Sequence, residues 1–307
     1  MPVERRPNCR QTSRRGYSPR VIAITGATGT VGRALLSTLI EAGEPVRALV
    51  RDPRLLGPNR VRVQLAFSDL GDPHALRHAL RGADTVIHLA ATIRDQPPRR
   101  VEEVNGLGTL RLLRAAERAG VERFIFFSAI GATRFQRTRF FRSKALAEEG
   151  VRESPLHTTI FAPSIMYDRD DPWVTIMRRL ALLPVLPVSG TGEARFQPIW
   201  AHDVARCVVA SLGREGDARY ELAGPEILSH EEMVRLIAAA AGRNRPVVHV
   251  PLPIVRSSLI WLRRLFGQSV FATWEEAELM EIPMVTPRGT ADVESLGVEP
   301  QRMGDVL

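Results

Sequence analysis

Three glycines stand three residues apart in the segment VIAITGATGTVG, from Val21 to Gly32. An apolar run precedes them, and Leu35, Leu36, Leu39 and Ile40 follow at helical spacing. That order prescribes a strand, a tight turn and a helix beginning near Val31. Gly26 lets the chain turn out of the strand, Gly29 leaves no side chain over the turn, and Gly32 lets the helix lie close against the sheet. The first N–H groups of the new helix lack intrahelical partners and carry partial positive charge. The segment is therefore suited to hold a pyrophosphate. Its spacing is G-x-x-G-x-x-G, not the commoner G-x-G-x-x-G fingerprint, and the bland alternative is a Gly-rich turn that holds nothing.

Arg51 and Asp52 follow Gly32 by 19 and 20 residues, at the end of a second strand-like run. A carboxylate there would bind a ribose 2′-hydroxyl, as with NAD, and an arginine would accept the 2′-phosphate of NADP. Arg51 comes first, with Arg33 and Arg47 as possible neighbours, so NADP(H) is favoured and NAD(H) remains possible. Asp69, after a third strand, is placed beside the adenine, or else simply closes a loop.

The elements that must position these residues alternate. Strands are expected at Val46 to Val50, Val61 to Phe67, Asp84 to Leu89, Arg123 to Ser128 and His157 to Phe161. A helix from Val101 to Ala119 ends at Gly120. Continuous apolar strands between amphipathic helices predict a parallel sheet covered on both faces, and right-handed crossovers make it doubly wound. After Pro163 come a Pro-broken apolar stretch (Trp173 to Val188), a strand-like FQPIW (196–200), a helix from His202 to Leu212 and a strand from Arg219 to Leu222. Ser229 and Glu232 stand at capping-box spacing before a helix that runs to Ala241. Ile254 to Phe266 is amphipathic, too short and charged to span a bilayer, and suited to a cleft cover or a membrane surface.

Composition narrows the function classes. Of the 42 basic residues 41 are arginine, and Lys144 is the one lysine. Where nearly every cation is Arg, a retained Lys suggests a need for a compact, titratable ammonium. The net charge of +8 is spread along the chain without a nucleic-acid-binding motif, so no nucleic acid is expected as a partner. Cys9 and Cys207 are far apart, which fits a reducing cytoplasm. The scattered histidines, His74 and His78 included, complete no metal site. Residues 1–20 are Arg-rich and read as a disordered tail.

TGATGTVG, VRALVRDP (46–53), HLAA (88–91), VNGLGT (104–109), FIFFSAIGA (124–132), FFRSKALAEE (140–149), FQPIWAHDVA (196–205) and YELAGPE (220–226) occur in an order that resembles short-chain dehydrogenase/reductases. The chain is most similar to their atypical and extended branch, among bacterial relatives of the nucleotide-binding accessory subunit of respiratory complex I, near the NmrA-like proteins. The resemblance implies a Rossmann core over 21–165. Residues 166–307 would hold the remaining sheet strands and a small, mostly helical lobe for substrate or partner. It also implies cofactor contacts from Gly26, Thr28, Gly29, Thr30, Val31, Gly32, Arg51, Asp69, Leu70, Ala90, Ala91, Ser128 and Lys144.

Active members of that superfamily use a Tyr-x-x-x-Lys pair, in which the ammonium holds the ribose and the phenol moves the proton. Lys144 matches the lysine, but the tyrosine position is Phe140. Tyr167, Asp168 and His202 are the substitutes to consider, and Ala129 competes with Ser128 for the polar position after the fifth strand. Two functions follow. One is a non-catalytic or weakly catalytic dinucleotide sensor or assembly factor, linked to respiratory or quinone and lipid metabolism. The other is an NADP(H)-dependent oxidoreductase acting on a hydrophobic carbonyl or quinone-like substrate. A protein complex, a hydrophobic small molecule or a membrane surface would be the partner, and the cytoplasm or the periphery of the inner membrane the location.

Overall fold

The computed structural model describes residues 20–96, 98–266 and 274–307, without the side chains of 262–266. The expected tail, Cys9 and the last turn of the amphipathic segment's apolar face lie outside the described residues or side chains. The first strands are β1 (Val21–Thr25), β2 (Val46–Val50), β3 (Gln64–Phe67), β4 (Ala83–His88), β5 (Arg123–Phe127) and β6 (His157–Pro163). Shorter strands follow as β7 (Met166–Tyr167), β8 (Leu186–Ser189), β9 (Arg195–Phe196) and β10 (Ile199–Trp200). The last are β11 (Ala218–Leu222), β12 (Leu228–Ser229) and β13 (Val247–Val250). The helices used below are α1 (Thr30–Glu41), α2 (Pro73–Ala79), α3 (Gly108–Ala119), α4 (Arg139–Arg152), α5 (Pro172–Leu180), α6 (Ala201–Ser211), α7 (His230–Ala240) and α8 (Leu252–Phe266).

Seven parallel strands form the main sheet in the order β11-β6-β5-β4-β1-β2-β3. All five residues of β1 are buried, because helices cover both faces of the centre of the sheet. On one face α1 packs with α6, placing Leu35, Leu36 and Leu39 against Val204 and Val208. On the other, α2, α3 and α4 cover Val86, Phe124 and Phe126. The capping box at the start of α7 forms, with Ser229 Oγ accepting from Glu232 N and the Glu232 carboxylate accepting from Ser229 N.

Three elements differ from the sequence expectation, one being FQPIW (196–200), which splits into β9, paired with β12, and β10, paired with β7. The third strand begins at Gln64 rather than Val61, because Pro53–Val61 winds as two short 3₁₀ segments kinked at Gly57, the first opened by Asp52. The helix from Val101 is interrupted by a π-helical segment, Glu103–Leu107, before α3. No described helix is long and apolar enough to cross a membrane.

Candidate dinucleotide site

The strand order reverses at β1, so the chain leaves β1 and β4 toward opposite faces and opens a crevice at their C-terminal ends. A cleft of about 720 Å³ occupies that crevice, a volume in the range of small-molecule sites. Its floor is Thr25 to Gly29. Arg51 and Asp52, Asp69 and Leu70, and Ala90 and Ala91 form its walls.

The three glycines of the loop are glycines for different reasons. Gly26 has φ +74°, and a Cβ there would stand 2.5 Å from Ala90 N. A Cβ on Gly32 would stand 2.1 Å from Gly26 O, so α1 could not lie where it does. Gly29 has φ −76°, open to any residue, and a Cβ would meet only Gly26 O at 3.4 Å. The protein's own packing gives no reason for glycine at 29. The bare position faces the cleft and leaves α1, whose N-cap is Gly29, without a side-chain cap. The first N–H groups of α1 thus remain for an anion. Val31 and Gly32 are buried beneath the loop, so only their backbone can serve.

A hydrogen-bonded chain behind the loop fixes the opposite wall. His88, the last residue of β4, stands opposite Thr25 in register and is fully buried. Thr109 Oγ1 donates to Asn105 O at 2.6 Å, so toward His88 Nε2, 2.9 Å away, it acts as acceptor. The ring is then the Nε2–H tautomer, and its Nδ1 accepts from Thr25 Oγ1 at 2.6 Å. That leaves the Thr25 oxygen to accept from Ala90 N. Burial first, then the nearby Lys144 charge, pushes the His88 pKa down to about 3, which keeps the ring neutral. Asn105, in the π-helical segment, clasps Thr92 through both backbone groups at 2.8 Å. Sequence reading gave His88 and Asn105 no role. The signal available was a histidine ending an apolar strand and an asparagine within a helical pattern.

At the end of the cleft bordered by β2 and β3, Arg51 is exposed on the wall and forms no ion pair among the described residues. Asp52 instead accepts from Arg54 N at 2.9 Å as a helix cap. Arg47 points elsewhere, donating to Ala79 O, Arg81 O and Gln64. Arg33 donates to Thr28 O at 2.7 Å. Asp69 closes its turn by accepting from Gly71 N at 2.7 Å and pairs with Arg99 across the cleft. Burial works to raise its pKa, but the Arg99 hydrogen bond, the Gly71 N–H and the Arg99 and Arg51 charges outweigh it and hold the carboxyl below its usual range.

The residues expected at a reaction centre are turned inward. Phe140 is half-buried, edge-on to Phe141 at 5.4 Å between ring centroids. Lys144 is 3% exposed, does not line the cleft, and donates to Phe127 O at 2.6 Å. Its ammonium sits 5.0 Å from the centre of the Phe126 ring, and burial pushes its pKa down to about 7. Ser128 does not line the cleft: its hydroxyl donates to Glu148, which Arg152 and Arg219 also hold. Glu148 lies one turn after Lys144 on α4 and captures the hydroxyl.

Ala129, its rival, is buried among Ile130, Phe141 and Tyr167. Tyr167 is fully buried, and its hydroxyl has no partner among the described residues; burial and the charges of Asp203, Glu226, Asp168 and Asp305 raise its pKa. Asp168 accepts from Trp200 Nε1 at 3.2 Å and stands 3.8 Å from His202 Nε2. None of these three substitutes lines the cleft.

A doubly wound sheet with an uncapped glycine-loop helix at its switch point defines a dinucleotide-binding protein. The chain belongs to the NAD(P)H-binding family, whose model matches residues 26–215. This agrees with the short-chain dehydrogenase/reductase resemblance of the motifs. Over 80% of its length the chain is 30% identical to the mitochondrial NADH dehydrogenase [ubiquinone] 1 alpha subcomplex subunit 9 of Arabidopsis thaliana, and it spans 63% of that protein. It is 34% identical to the ceramide reductase of Caulobacter vibrioides over 85% of this chain and 84% of that one. Among solved structures, that of gox2253 matches with a TM-score of 0.71 and 27% identity, covering 93% of this chain and 95% of that one.

Proposed function

We propose that the protein holds NADP(H) in the cleft and serves as a dinucleotide-dependent sensor or assembly factor, with little or no carbonyl reduction of the ordinary kind. One observation carries this reading: no acid–base hydroxyl accompanies Lys144. Phe140 has no proton to give, Ser128 is bound to Glu148, and the Tyr167 hydroxyl is buried within an apolar cluster. The similarity to a respiratory-complex subunit supports a role in complex assembly or sensing.

A bound nicotinamide dinucleotide would bring a hydride donor or acceptor. The chain's residues would do the holding. Backbone groups of Thr28, Gly29, Thr30 and Val31 face the diphosphate, Arg51 takes the 2′-phosphate, and Asp69 and Leu70 border the adenine. Ala90 and Ala91 line the path to the ribose, which Lys144 reaches once Nζ leaves Phe127 O. The proposed location is the cytoplasm, at the periphery of the inner membrane, and the proposed partner is a protein complex or a hydrophobic small molecule.

The similarity to a reductase favours a second reading, an oxidoreductase for a hydrophobic carbonyl or quinone-like substrate with a non-standard proton donor or water. Calorimetric titration with NADPH, followed by turnover assays on aldehydes and ketones, tests the choice. Tight binding without NADPH oxidation is expected. Turnover in the usual range of about 1–10³ per second would overturn the non-catalytic reading.

A further inference from the structure

A second basic cavity lies away from the dinucleotide cleft, where the C-terminal half of α7 meets the paired strands β8 and β13. Its volume is about 410 Å³, and Arg235, Arg243 and Arg245 line it with Leu186. Arg235 is paired with Glu231, but neither Arg243 nor Arg245 forms an ion pair among the described residues. Arg245 Nε is buried with no hydrogen-bond acceptor among the described residues. Guanidinium donors held around a cavity without carboxylates fit a phosphate better than any other common group.

The surroundings say what carries that phosphate. β8 and β13 are parallel, with Leu186 opposite Val247 and Leu186 N donating to Pro246 O at 2.9 Å. The loop entering β8 and the loop entering β13 therefore emerge at the same end of this small sheet. The first carries Leu182 and Leu183, which are 65% and 45% exposed, and the second carries Arg243 and Arg245. Arg179, also exposed, precedes them in a turn closed by Leu182 N donating to Arg179 O at 3.1 Å. Two adjacent leucines in water beside a cluster of arginines match an anionic bilayer, with acyl chains for the leucines and headgroup phosphates for the guanidinium groups. The Pro-broken apolar stretch noted in the sequence thereby gains a use.

We infer that this end of the molecule, the Leu182–Leu183 loop with the Arg235, Arg243 and Arg245 cavity, docks on the surface of a membrane rich in anionic phospholipid. The inference is independent of whether the dinucleotide cleft turns over.

Vesicle co-sedimentation of the full chain tests it, using phosphatidylcholine with and without phosphatidylglycerol. The wild type is expected to bind only the phosphatidylglycerol vesicles, and less at high salt. Arg243→Ala and Arg245→Ala should each weaken partitioning about five-fold. The double change Leu182→Ser, Leu183→Ser should remove most of the remainder. NADPH affinity should stay unchanged in all of them, which shows that the variants are folded.

A wild type that ignores the vesicles overturns the inference and leaves the surface to a protein partner. Variants that bind vesicles as the wild type does also overturn it, and loss on Trp261→Ser alone would move the contact to α8. If glycerol phosphate binds the cavity while the leucine changes leave vesicle binding intact, the cavity serves a free phosphate compound and not a bilayer.

Discussion

The glycine loop and the first turns of α4 sit at neighbouring ends of the same sheet, and they are finished in opposite ways. In the loop and just after β2 the protein leaves donors unused: Gly29 bare, α1 without a side-chain cap, Arg51 without an ion pair among the described residues. Around α4 the side chains expected at a reaction centre are already engaged within the fold, Lys144 with Phe127 O and Ser128 with Glu148. Donors that a fold leaves unsatisfied are left for a ligand or water to complete, whereas a donor already held inside must give up its partner before it can serve a ligand. The contrast teaches that the two regions can be tested separately, one by binding and the other by turnover.

The largest effects should come from the two kinds of glycine. Gly32→Val should cost about 3 kcal/mol or more, because backbone stands where the side chain must go. Gly29→Val should leave stability within about 1 kcal/mol, yet weaken dinucleotide binding by on the order of 100-fold, the loss expected for a few charge-assisted hydrogen bonds. Thermal unfolding beside NADPH titration reads both. If Gly29→Val binds normally, the open position has no ligand to admit.

Lys144 offers the next test. Lys144→Ala should weaken binding by about 1.5–3 kcal/mol, and Lys144→Arg should restore only part, since a guanidinium is larger and planar. Full restoration by Arg would reduce Lys144 to an ordinary helix cation. The same residue predicts a pH dependence. With its folded pKa near 7 and its ordinary value 10.5, the unfolded chain holds the proton that the folded chain releases. Stability should therefore rise between those two values. Denaturant midpoints across that window should show the rise in wild type and lose it in Lys144→Met.

Smaller still is the effect at Arg51. Arg51→Ala should remove a preference for NADPH over NADH of about ten-fold, the size of one charged hydrogen bond in an exposed setting. Equal affinities in the wild type would remove the role. The weakest signal should be a gain: Phe140→Tyr recreates Tyr-x-x-x-Lys and should lift carbonyl reduction only just above background, because Lys144 and Ser128 remain turned away. A large gain would mean that the α4 region is far less closed than its hydrogen bonds indicate.

The sheet and the glycine loop were legible in the sequence because each depends on local pattern. Apolar runs, spaced glycines and the Ser229–Glu232 pair all act within a few residues of themselves. What escaped depends on contacts between distant residues. The clasp of Asn105 on Thr92, the His88 chain and the capture of Ser128 by Glu148 span 13 to 63 residues. None leaves a periodic trace. Arg47 illustrates the same limit: its place on β2 suggested the ribose, and only the fold shows Ala79 and Arg81 carbonyls claiming it.

The burial of Lys144 has a practical consequence. The chain contains a single ε-amine, and the folded protein conceals it. Amine-directed acylating reagents should leave the native interior untouched, and a lysine-specific protease should find no cleavable bond until α4 is uncovered. The protein thus carries its own one-site gauge of local opening: acylation at position 144, counted by mass, would measure how often that helix parts from the sheet and how firmly a bound dinucleotide holds it shut.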